Sequence, residues 1–206
     1  MNKTLLLLTI LILVSIVPYT IHNVESLTII DNVLPSNIEW RYPAYRATGA
    51  AYLYTSAQGT SPFNAYLVIA KPDGSYIVRY GSPYFSRTVS FSETAVDGNE
   101  THVAVAYRAY IAAGNSDIYV ALFDYDGNRI REVVVDSAAG HQGLPVIKYG
   151  GGYWFIAYVD YATIPGSLVF RIYDIYFNLL YTQRFSIGYT NIRDGDAGLD
   201  YRERAH

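Results

Sequence analysis

Beyond residue 39 the chain is written in short apolar runs, each closed by Gly, Pro, Asp or Asn. The runs are dense in Val, Ile, Tyr and Phe, side chains that suit a pleated, half-buried surface. Polar and apolar residues alternate only briefly, in Arg129-Ile130-Arg131-Glu132-Val133, where Glu132 breaks the period of a strand with one wet face. Ala104-Val105-Ala106-Tyr107 and Phe155-Ile156-Ala157-Tyr158-Val159 are apolar throughout, as a strand covered on both faces requires. No later segment carries a comparable helical period. The pattern predicts an all-β fold.

The runs recur as three units of four strands. The third unit predicts strands at 144–149, 153–159, 167–174 and 179–185, and the second at 93–96, 101–107, 117–124 and 129–136. The first is weaker, with strands expected at 42–47, 51–54, 64–71 and 76–80. Asp73-Gly74, Asp126-Gly127 and Phe177-Asn178 take equivalent turn positions, 53 and 52 residues apart. Tyr54, Tyr107 and Tyr158 recur at steps of 53 and 51. An Asp-Gly pair between two apolar runs predicts a type I′ hairpin with positive φ at both central residues. At the third turn, Asn178 is the residue expected to accept left-handed backbone. A period near 50 residues made of short strands marks a propeller blade or a related sheet array.

The expected organisation is a repeat domain over 27–206, with units at about 39–87, 88–140 and 141–191 and the start of a fourth at 192–206. Propellers close with roughly four to eight blades, so three units leave two open sheet edges. Three readings follow from that count. The chain is a piece of a longer propeller, or it completes a ring by association with another copy, or the units stack as a compact sandwich or an open array.

Residues 1–26 differ in kind. Lys3 precedes an uncharged, mostly apolar stretch at 5–17, stopped by Pro18, the plan of a secretory signal peptide. Crossing ~30 Å of hydrocarbon takes roughly 20 residues, so 5–17 is short for a span. Extension to residue 21 makes it a candidate membrane tether. The nearest cleavage site, Val24-Glu25-Ser26, lacks the small-x-small pattern. The expected location is therefore secreted or extracellular, with the N-terminal helix either removed or kept as an anchor.

Composition narrows the chemistry. With no Cys there is neither a disulfide framework nor a thiolate–zinc site. Arg outnumbers Lys twelve to three, and Met1 is the single methionine, a depletion of labile side chains that points to a hot habitat. A net charge of −3 without a basic patch argues against nucleic acid as a partner.

Asp97-Gly98-Asn99, Ala104-Val105-Ala106-Tyr107, Asp117-Ile118-Tyr119-Val120 and Asp126-Gly127 together resemble the blade repeats of secreted, propeller-forming β-proteins. The resemblance covers residues 39–191 and is architectural, without a sialidase Asp-box or a WD40-type Trp-Asp pair. It implies a binding or adhesion module, and less often a glycan-active enzyme.

Candidate sites are few. Asp194, Asp196 and Asp200 are spaced for oxygen ligation of Ca²⁺, although an acidic inter-unit turn is the simpler explanation of them. Glu93, Asp97, Asp117, Asp136 and Asp160 fall at strand ends, where a glycosidase would recruit two carboxylates. His141, between Gly140 and Gln142, reads as a hydrogen-bonded loop residue. Asn99-Glu100-Thr101 is a glycosylation sequon in an expected surface turn. Tyr45, Tyr110 and Tyr161 are expected at exposed openings, as stacking platforms for sugar rings, whereas Trp154 belongs to the core. The expected function is a non-enzymatic surface module recognising carbohydrate or another envelope component. The alternatives are a carbohydrate-active hydrolase and a structural subunit of an extracellular assembly.

Overall fold

The computed structural model describes residues 44–48, 50–58, 63–162 and 166–186. The N-terminal segment at 1–26, Trp40, the cluster Asp194, Asp196 and Asp200, and the start of a fourth unit at 192–206 lie outside the described residues. Within them the chain is all-β, in three four-stranded antiparallel sheets with strands in simple sequence order. The first sheet comprises β1 (Ala44–Ala47), β2 (Tyr52–Gln58), β3 (Asn64–Ala70) and β4 (Tyr76–Tyr80). The second comprises β5 (Val89–Gly98), β6 (His102–Ala112), β7 (Asn115–Asp124) and β8 (Arg129–Asp136). The third comprises β9 (Gln142–Gly150), β10 (Tyr153–Asp160), β11 (Ser167–Tyr173) and β12 (Leu179–Ser186).

The second sheet is the middle layer, and β6 shows why its sequence is apolar without alternation. Val103, Val105, Tyr107 and Ala109 point into a core shared with Leu53, Leu67 and Ile69 of the first sheet. Ala104 and Ala106 point the other way, into a core shared with Trp154, Ile156, Tyr158 and Val169 of the third. Successive strand residues face opposite sides, so a strand between two layers must be apolar at every position.

The hairpins depart from expectation in an instructive way. Type I′ geometry occurs at Gly151-Gly152, which link the paired residues Gly150 and Tyr153 with φ of 59° and 85°. The Asp-Gly turns are different: Gly127 has φ 74° while Asp126 keeps an ordinary negative value. Here Asp124 organises the turn, its Oδ1 accepting from the amides of Asp126 and Asn128 and its Oδ2 from Asn128 Nδ2. Asp174 and Asn178 repeat the arrangement in the third sheet. The left-handed residue there is Phe177, at φ 62°, and not Asn178. Asn178 is engaged as the Asp174 partner, which leaves the next position upstream to absorb the backbone reversal.

Candidate functional site at one end of the sheets

Strand direction sorts the five strand-end acids. Pairing sets Asp117 opposite Ala109 in the second sheet and Asp160 opposite Gln142 in the third. Those positions, with Asp136 at the end of β8, define one end of the two sheets. Asp97 lies at the other end, where its Oδ1 and Oδ2 accept from the amides of Gly98 and Tyr149.

Glu93 reaches the first end through a break in strand pairing. Val89 pairs with Ala109 and Thr94 with Tyr107, so residues 90–93 stand against Arg108 alone. A bulge of this kind re-aims a side chain, and here it turns Glu93 onto Arg108. Arg108 Nη1 donates to Glu93 Oε1 at 3.2 Å, and Arg108 Nε donates to Ser116 Oγ at 2.8 Å. His141 Nδ1 lies 3.2 Å from Arg108 Nη2 and 3.1 Å from Ser116 Oγ. The Leu144 amide donates to Glu93 Oε2 at 2.5 Å, which ties the bulge to the third sheet. Gly143 permits that approach, since a Cβ there would sit 2.8 Å from Glu93 Oε2. Burial pushes the Glu93 carboxyl up, and Arg108 with the Leu144 amide only partly reverses it.

A second polar group joins the same two sheets. Asp136 Oδ2 accepts from Tyr158 Oη at 2.5 Å and lies 3.3 Å from Arg184 Nη2 and 3.5 Å from Arg171 Nη2. Arg171 also donates to the Val135 carbonyl. Arg184 Nη1 donates to Asp160 Oδ2 at 2.5 Å, so one guanidinium joins the carboxylates of both sheets. Burial alone raises the Asp160 carboxyl. Hydrogen bonds from Arg184, the Ala162 amide and Gln142 outweigh it and hold the group below its usual range. The two acids therefore meet, but the guanidinium occupies the space between them.

Asp117 differs from the other acids at this end. Its residue is buried, and among the described residues its Oδ1 has no hydrogen-bond partner. Burial and the neighbouring Asp136 push its carboxyl up, against a weaker pull from Arg87.

Of the expected platforms, Tyr110 is exposed at the end of β6 and Tyr161 is half-buried just past β10. Tyr161 donates its amide to the His141 carbonyl at 2.8 Å. Burial and the Glu93 charge push its phenol up to about 12. Tyr45 lies in β1, its side chain outside what is described. Trp154 is fully buried. Asn99 caps the turn between β5 and β6, its Oδ1 accepting from the amides of Thr101 and His102. Among the described residues no three of His, Asp and Glu gather as a metal-holding group.

No protein-family model matches the chain, and no curated protein matches it in sequence. Among solved structures it is distantly similar to a thermostable family-43 glycoside hydrolase, at 16% sequence identity and a TM-score of 0.45. The match covers 70% of this chain and 53% of that one, so this chain spans about half the other's length.

The arginines that organise this end were not picked out from sequence, although one signal was present. Arg108 interrupts an apolar strand at a position bound for the interior. A charge there requires a buried counter-charge, which marks Glu93 as the acid to seek.

Proposed function

We propose that this chain is an exported binding module that recognises carbohydrate at the end of the second and third sheets, beside Tyr161 and His141. The observation that carries the reading is the state of the acids at that end. Glu93 is paired with Arg108, and Asp136 and Asp160 share Arg184. Carboxylates neutralised in this way orient and brace. They are poorly placed to attack a sugar or to activate water, which needs an open gap between two acids. Tyr161 adds a half-buried ring whose apolar face suits a sugar ring and whose phenol stays protonated, hence a donor, at any physiological pH. Export rests on Lys3 and the apolar stretch at 5–17.

The test is titration of the full-length chain with a panel of oligosaccharides, followed by heat and by Tyr161 fluorescence-independent NMR shifts. Tyr161→Ala should weaken binding by about tenfold, or ~1.4 kcal/mol, within the roughly 0.5–1.5 kcal/mol of one aromatic contact. Full affinity in that variant sinks the assignment of the site.

One observation favours a second reading, a carbohydrate-active hydrolase. Asp117 has an unpartnered, buried oxygen and a carboxyl pushed up beside Asp136, the environment of a general acid. Release of product from aryl glycosides, abolished by Asp117→Asn and untouched by Tyr110→Ala, would replace the binding-module reading with this one.

A further inference from the structure

One face of the third sheet packs on the second sheet, and among the described residues no element packs on the other. Along β10, Trp154, Ile156 and Tyr158 are buried while Tyr153 and Phe155 are exposed. The pairing of β9 to β12 places Val146, Phe155, Phe170 and Phe185 on that other face, exposed by 50%, 37%, 40% and 37%. Phe170 and Phe185 meet edge to face with centroids 5.8 Å apart. Lys148 is the one charge that the register puts on this face among the described residues.

The matching face of the second sheet is equally apolar but also grips its neighbour with polar groups. Asp97 takes the Tyr149 amide, Arg131 donates to the Tyr176 carbonyl, and Asp136 holds Tyr158, Arg171 and Arg184. The third sheet keeps the apolar character and loses the grips. Lys148, opposite Phe155, stands where Asp97 stands opposite Ala104, an amine in place of the carboxylate. Tyr181, opposite Ile172, and Phe185, opposite Leu168, stand where Arg131, opposite Leu122, and Asp136, opposite Ile118, stand in the second sheet. A face without those groups is not made to hold another sheet of the same kind. It is made to meet an apolar surface that asks for no complementary charge.

We propose that this face is where two copies of the chain associate, third sheet against third sheet across a two-fold axis. A patch that meets its own copy must be self-complementary, which an apolar face with Lys148 as its single charge among the described residues satisfies more readily than a face of directional ion pairs. Four strands of about eight residues present about 500 Å² in projection, and more once corrugation is counted. That approaches the ~800 Å² per partner of a standard stable interface.

The chain has no cysteine, so a single introduced thiol reports on one position. In the full-length protein, Phe170→Cys should form a disulfide-linked dimer about tenfold or more faster than Tyr76→Cys, on β4 of the first sheet, because neighbouring thiols act at ~mM effective concentration. Phe170→Asp should convert a dimer to a monomer in light scattering, with the strand circular dichroism unchanged. Equal crosslinking rates at the two positions overturn the proposal, as does a folded Phe170→Asp chain that stays dimeric. If the aspartate variant fails to fold, the cysteine comparison alone decides. A monomeric parent chain also overturns it, and would assign the face to residues 187–206 or to a different protein.

Discussion

At the residue scale, Phe177 shows two local forces in opposition. Its φ of 62° costs a non-glycine residue roughly 1–2 kcal/mol. Its ring is buried, stacks on Trp154 at 5.3 Å and touches Tyr173 at 5.7 Å. Deleting a buried phenylalanine ring costs about 3–5 kcal/mol, so packing wins. Phe177→Gly should therefore destabilise the protein by about 2 kcal/mol despite relieving the backbone. Urea unfolding checks this. A more stable variant would show that the turn, and not the stack, dominates. The sequence displayed the turn but not the trade, because the value of Phe177 depends on Trp154, which stands more than twenty positions upstream.

Among elements, the second and third sheets are held by charge as well as by apolar packing. Asp136 is the hub, since Tyr158, Arg171 and Arg184 converge on one carboxylate oxygen. Asp136→Asn keeps the shape and removes the charge, which leaves Arg171 without its carboxylate. Breaking a buried ion pair costs about 3–5 kcal/mol, but Arg184 is 43% exposed and keeps Asp160, so about 2 kcal/mol is expected. Thermal unfolding of the variant measures it. No loss would make the apolar contacts between Val120, Ile156 and Val169 sufficient by themselves. Strand-end acids were visible in the sequence, but their roles were not. An aspartate at a strand end reads the same whether it faces solvent, a ligand or an arginine from another sheet.

Over the whole molecule, the tyrosines set an alkaline limit. Burial pushes the phenols of Tyr107 and Tyr158 far up, reinforced by Glu132 and Asp136, and Tyr161 up to about 12. An unfolded tyrosine titrates near 10. The folded state therefore keeps protons that the unfolded chain gives up. The stabilisation is whole below about pH 10 and is lost as the pH rises from there through the folded values. Tyrosinate absorbance should rise in two stages, exposed phenols first and these three only together with loss of the strand circular dichroism. Ionisation of all tyrosines in one step, with the fold intact, would contradict the burial of these rings.

Much of this architecture was legible beforehand, because it depends on short-range rules. The period of two, the Val, Ile and Tyr density and the turn residues specify strands and their order. The absence of alternation in β6 announces layers on both sides, whereas the same signal in β10 misleads, since Tyr153 and Phe155 are exposed. These properties are local, and a single chain carries them in the open. Three things required the tertiary structure. Left-handed backbone at the third turn fell to Phe177 because Asn178 was already bonded to Asp174. Three of the four acids at one end, Glu93, Asp136 and Asp160, proved to be paired with arginines, in one case 48 residues away, whereas Asp117 was not. The outward face of β10 is exposed among the described residues although its sequence reads as covered, because apolar content says that a side chain seeks a partner and cannot say whether one has arrived.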